Sequence, residues 1–162
     1  MKCIFGKIND ESKMKLYRVG EIINEIWKKI PSHFKNVKIK EFVIMPNHIH
    51  GIIEILEMDD LNIIGSDNAC VVPTKGYGPK KKSLGAIIGS YKSAVSKRVN
   101  TYFKTTGATI WQHNYYEHII RNEKSYQKIC EYIHNNPFQW KFDKYYNGRA
   151  NINSNRLLQI EW

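Results

Sequence analysis

The chain has 162 residues, 42% of them hydrophobic and 12% aromatic, which excludes a disordered polymer and fits one domain with a real core. Lysines and arginines number 25 against 15 acids, a formal charge of +10. That balance fits a polyanionic partner, nucleic acid first and an anionic membrane surface second, or a basic protein of ordinary kind.

Cys3, Cys70 and Cys130 are odd in number and far apart, so free thiols in a reducing cytosol are expected rather than disulfides or a zinc knuckle. Charged residues interrupt every apolar run well short of the roughly 18 residues of a membrane helix, and no signal-peptide pattern opens the chain. A cytoplasmic protein without a membrane partner is the expectation.

In chain order, Cys3 to Ile8 and Lys13 to Leu16 flank Asn9-Asp10, which predicts a short hairpin. From Tyr17 to Ile30 the residues Val19, Ile23, Ile26 and Ile30 recur at helical spacing with Trp27 beside them, and Pro31 is expected to stop that helix. Lys38 to Met45 and His48 to Leu56 read as an antiparallel strand pair turned by Pro46-Asn47. Residues 57–82 carry scattered Asp, Asn, Gly and Pro and end in Lys80-Lys81-Lys82, a long loop with a basic end and no phosphate-loop pattern.

Ser83 is placed to cap a helix to about Tyr102, with Leu84, Ile87, Ile88, Tyr91, Val95 and Val99 as its buried stripe. Lys92, Lys97 and Arg98 lie on its other side, where a solvated face and a DNA-facing one are both open readings. Thr109 to Ile120 has the composition of a third strand. Asn122 or Ser125 then starts a last helix, expected to end at Asn136 before Pro137. Residues 138–162 form a tail of weak periodicity, and no internal repeat or domain boundary shows in the single domain 1–162. Antiparallel strands with inserted helices predict an α+β fold of ferredoxin-like type.

Two stretches carry chemistry. Strand alternation puts His48 and His50 on one face with Ile52 and Glu54, and Ile49, Ile53 and Ile55 on the other, against the helices. Two neutral imidazoles one pleat apart can share a metal ion, and an oxygen ligand from elsewhere would complete a site for Mg²⁺ or Mn²⁺. Two hydrogen-bonded or surface histidines are the alternative reading. In the last helix Tyr132 and Asn136 stand four apart on one face. Tyr132 is either core or, if the helix crosses the histidine face, a phenol presented to the metal beside the Asn136 amide.

The segment EFVIMPNHIHGIIEI, followed by WQHNYYEHIIRNEKSYQKICEYIHNNP, resembles the single-tyrosine HUH transposases, specifically the REP-associated tyrosine transposases, from about Cys3 to Trp140 apart from the Glu57 to Lys82 loop. The resemblance implies that His48 and His50 are metal ligands, Asn136 the third, and Tyr132 the nucleophile of a transposase that cleaves single-stranded or hairpin DNA through a 5′-phosphotyrosine link with Mg²⁺ or Mn²⁺. Trp111 and Gln112 match the Trp-Gln strand of such proteins, with no chemical role assigned. Lys80, Lys81, Lys82, Lys92, Arg98, Tyr115 and Arg121 are the expected DNA contacts, with bases stacking on exposed aromatics such as Tyr115 and Tyr116.

Such proteins carry a further N-terminal strand, central in a ferredoxin-like sheet. A gap beside the histidine strand is therefore expected here, together with an upstream start or a truncated copy. An inactive copy that binds hairpin DNA is the alternative function; monomer and homodimer both stay open.

Overall fold

Asn9 closes the first turn of the chain. Its Oδ1 accepts the Lys13 N–H at 2.7 Å and its own N–H donates to the Lys13 carbonyl at 2.9 Å. The strands on either side, β1 (Gly6–Ile8) and β2 (Met14–Leu16), form the expected hairpin. The structure, a computed structural model, describes residues 3–56, 83–111, 115–143, 146 and, as backbone, 160–161. The expected contacts Lys80, Lys81 and Lys82, and Gln112, lie outside these residues.

Helix α1 (Arg18–Trp27) buries Val19, Ile22, Ile23 and Trp27 along one stripe, as helical periodicity requires. Pro31 corrects the reading of where it stops. The helix has already ended at Trp27, and Pro31 sits in the first turn of a separate short helix, α2 (Ile30–His33), where its missing N–H costs nothing.

Strands β3 (Val37–Ile44) and β4 (Ile49–Ile55) run antiparallel, with Ile44 opposite Ile49, Val43 opposite His50 and Phe42 opposite Gly51. A register irregularity lies between Ile39 and Phe42. The turn between the strands is closed by the Met45 N–H on the His48 carbonyl at 2.8 Å. Phe5, fully buried, ties the N-terminal segment to the same turn through its N–H on the Pro46 carbonyl at 3.0 Å. The flank of β4 at Ile49 and His50, where a gap was expected, is lined by the two-residue strand β5 (Ile160–Glu161), which runs parallel to it.

Helix α3 (Leu84–Phe103) starts at the expected cap, with the Ala86 N–H on Ser83 Oγ at 3.3 Å, and buries Ile87, Ile88, Tyr91, Val95 and Val99. Its C-cap, Lys104, takes the left-handed conformation at φ 53°. Helices α1 and α3 share one core with Phe5, Val37, Ile44 and Ile49 on one side of the sheet. Helix α4 (Glu123–Gln139) lies on the other.

The architecture is α+β, in which β1 and β2 form one sheet and β3, β4 and β5 a second. No helix among the described residues is long and apolar enough to cross a membrane.

The third strand expected over Thr109 to Ile120 is absent among the described residues of that span. Its described aromatic and β-branched residues do not act together as a ladder. Trp111 is buried, donates its indole N–H to the Lys92 carbonyl at 3.0 Å and packs on Phe5, whereas Tyr116 and Ile119 are exposed. β-Propensity measures fit to a pleated surface, and Trp111 finds that fit against a helix and a loop instead.

Candidate metal and nucleophile site

The site begins at the turn into β4. His48 ends the turn and His50 lies within the strand, so alternation aims both away from the α1–α3 core. Ile49 belongs to that core and Ile53 packs against it, as expected; Ile55, at the strand end, is exposed. Gly51 shares the Ile49 face. A Cβ there would stand 2.7 Å from the Trp27 ring, which occupies that space and stacks on Phe42 with ring centroids 4.4 Å apart. The absent side chain thus lets α1 approach the histidine strand closely.

The histidines are not surface residues: His48 and His50 are each 1% exposed. Helix α4 covers them. It begins at Asn122, whose Oδ1 accepts the Ser125 N–H at 2.8 Å. It does not end at Asn136, because Pro137 lies inside it and the helix reaches Gln139, followed by a 3₁₀ turn over Trp140–Phe142. Proline removes one N–H from the ladder but leaves the α4 backbone helical through this point. Asn136 therefore stays in the helix, buried, with its Nδ2 donating to the Tyr132 carbonyl at 3.3 Å.

Continuing past Pro137, the helix and its 3₁₀ extension lay Tyr132, Trp140 and Asp143 near the pair, with buried Asn136 between them in the chain. The Tyr132 ring meets His50 edge-on at 5.3 Å between centroids and is 46% exposed, so it is open to solvent. Trp140 lies 6.0 Å from the His48 ring, and Asp143 Oδ2 is 3.9 Å from His48 Nε2.

Within the pair, Nε2 faces Nε2 at 2.9 Å. Asn47 Oδ1 sits 2.8 Å from His48 Nδ1, so Nδ1 carries the proton and donates, and His48 Nε2 presents its lone pair toward His50. At that distance the two rings hydrogen-bond to each other, His50 Nε2–H donating to the His48 lone pair, as the hydrogen-bonded reading expects. Two nitrogens sharing one ion at about 2.0–2.1 Å and a right angle would also stand roughly 2.9 Å apart, once His50 had moved that proton to Nδ1. Among the described residues no group of three or more His, Cys, Asp or Glu stands in metal-holding geometry. Asn136, one turn beyond Tyr132 on α4, spends its Nδ2 on the Tyr132 carbonyl, so its side-chain oxygen is the group that can still accept or ligate.

The other expected DNA contacts do not gather here. Arg98 reaches Glu25 of α1 at 3.7 Å, and Lys92 lies 5.7 Å over the Tyr115 ring, so both belong to α3 across the sheet from α4. Burial lowers the Lys92 pKa. Arg121 is exposed just before α4. A cavity of about 700 Å³ opens at the far end of β4, lined by Lys40, Glu54, Leu84, Ile119 and Tyr126 among others, away from the histidines. Sequence reasoning missed Asn47, Trp140 and Asp143 as neighbours of the site.

A Haemophilus influenzae protein described as uncharacterized is 42% identical to this chain over 149 residues, 90% of this chain and 78% of that protein. No family model matches the chain, and no solved structure matches it.

Proposed function

The chain belongs to one family with the Haemophilus influenzae protein, and we propose for it a metal-dependent DNA strand transferase acting on single-stranded or hairpin DNA. The observation that carries the reading is the meeting of two distant segments: Tyr132, half-exposed, stands against His50 of the buried pair, with Asn136 one turn further along the same helix. The resemblance to single-tyrosine HUH transposases and the charge of +10 support the same substrate class.

In this reading His48, His50 and Asn136 would hold a divalent cation, Mg²⁺ or Mn²⁺, through the imidazoles and the side-chain amide oxygen. The ion, when bound, polarises the scissile phosphate and orients it for in-line attack. The Tyr132 phenol oxygen attacks phosphorus and loses its proton to solvent. The P–O3′ bond breaks, the 3′ oxygen leaves and takes up a proton, and the 5′-phosphate remains on Tyr132. A later 3′-hydroxyl attack on that link reverses the bond changes and rejoins DNA, which hydrolysis by water does not allow. Burial of the pair under α4 keeps competing water from the histidine nitrogens.

The test is incubation of the full chain with labelled hairpin DNA and MnCl₂, followed by denaturing electrophoresis. An SDS-stable protein–DNA adduct is expected, and Tyr132→Phe is expected to abolish it while retaining DNA binding. An adduct that persists in the variant removes Tyr132 from the role. Salt-sensitive binding with no adduct in the parent favours a hairpin-binding protein without catalysis.

A further inference from the structure

We propose that Asp143 is the counter-charge of the histidine site and sets its affinity for a doubly charged cation; the inference rests on the metal reading above. The donors assigned so far, two imidazoles and an amide, are all neutral. A divalent ion placed among residues 1–3% exposed would carry its full charge into a poorly solvated place. Neutral nitrogen donors alone also favour later transition metals over Mg²⁺ or Mn²⁺, which call for carboxylate oxygen.

Asp143 supplies what is missing. It caps the 3₁₀ turn that follows α4, its side chain is 10% exposed, and its Oδ2 stands 3.9 Å from His48 Nε2, the nitrogen that Asn47 leaves with a lone pair. That distance exceeds a hydrogen bond, so the carboxylate acts on a cation at the pair through its charge rather than by holding the imidazole. Its position depends on the chain staying helical across Pro137, which brings residue 143 back over the strand that carries His50. Among the described residues, His48 from the β3–β4 turn lies within reach of its carboxylate, and the His48 ring in turn lies 6.0 Å from Trp140, with Tyr146 beyond Trp140 at 5.6 Å between rings.

The experiment is calorimetric titration of MnCl₂ into the full chain without DNA, for the parent, Asp143→Asn, Asp143→Ser, Asp143→Glu and His48→Ala, with thermal unfolding recorded in EDTA. Asp143→Asn and Asp143→Ser are expected to weaken Mn²⁺ binding at least tenfold, Asp143→Glu to restore most of it, and metal-free Tm to stay within a few degrees of the parent. Two results overturn the proposal while leaving the metal reading standing: parental Mn²⁺ affinity in both neutral variants, or a metal-free Tm that falls well beyond a few degrees in both. A parent that takes up no Mn²⁺ saturably, or that binds it equally well as His48→Ala, overturns the metal reading and this inference with it.

Discussion

Asn47 Oδ1 lies 2.8 Å from His48 Nδ1, and both side chains are buried, so one turn residue decides which nitrogen of the first histidine is offered to a ligand. Removing the acceptor frees the ring to flip or to change tautomer. Asn47→Ala is expected to weaken Mn²⁺ binding by about tenfold, the usual effect of losing a ligand's orienting partner. Asn47→Asp, which keeps the acceptor and adds a negative charge, should not fall below the parent. Calorimetric titration of both variants checks this; equal affinity in Asn47→Ala and the parent would show that the bond orients nothing.

Gly51→Ala is expected to destabilise the fold by about 1–3 kcal/mol, the range for overfilling a well-packed core. The added methyl would stand 2.7 Å from the Trp27 ring, which Phe42 on one side and Tyr91 on the other keep in place. Urea unfolding gives the number, and near-ultraviolet dichroism should show the Trp27 environment disturbed. A variant as stable as the parent would mean that the indole moves aside easily.

Tyr91 makes stability depend on alkaline pH. Its ring is buried and its hydroxyl donates to the Ile23 carbonyl at 3.4 Å; burial holds the phenol well above its ordinary pKa. The unfolded chain ionises first, near pH 10, so stability from this group is full below that pH and is lost as pH rises beyond it. Tyr91→Phe should therefore unfold at higher pH than the parent, while at neutral pH its stability changes by less than about 1 kcal/mol. Alkaline titrations followed by circular dichroism that superimpose for the two proteins would contradict this.

Lys104 ends α3 at φ 53°, a conformation that strains any residue with a Cβ. Lys104→Gly is expected to stabilise the protein by about 0.5–1 kcal/mol, because glycine adopts this cap without that strain. The side chain is exposed and is not part of the site, so metal binding should not change. A lower urea midpoint in the variant would refute the account.

Much of this arrangement was readable from residue order because it depends on local periodicity. The stripe from Ile87 to Val99 and the alternation through Ile49, His50 and Ile52 each follow from one repeating interval. The strand expected over Thr109 to Ile120 shows where that logic ends: composition does not say whether an aromatic joins a ladder or, like Trp111, anchors alone on a helix. Asp143 was hidden by one local rule applied too strictly. Tyr132, Asn136, Trp140 and Asp143 are spaced four, four and three apart, a helical stripe in plain view. Reading Pro137 as a stop broke that stripe after its second member, whereas the tertiary cover of α4 over the strand keeps the backbone helical.

The Trp140 ring, 6.0 Å from His48, gives the histidine site an optical reporter of its own. Among the described tryptophans, Trp27 and Trp111 belong to the core on the opposite side of the sheet, so a paramagnetic ion at the pair meets Trp140 before either of them. Loss of indole emission on adding Mn²⁺, absent in Trp140→Phe, would read occupancy of the site directly, in the unlabelled protein and with no DNA in the cuvette.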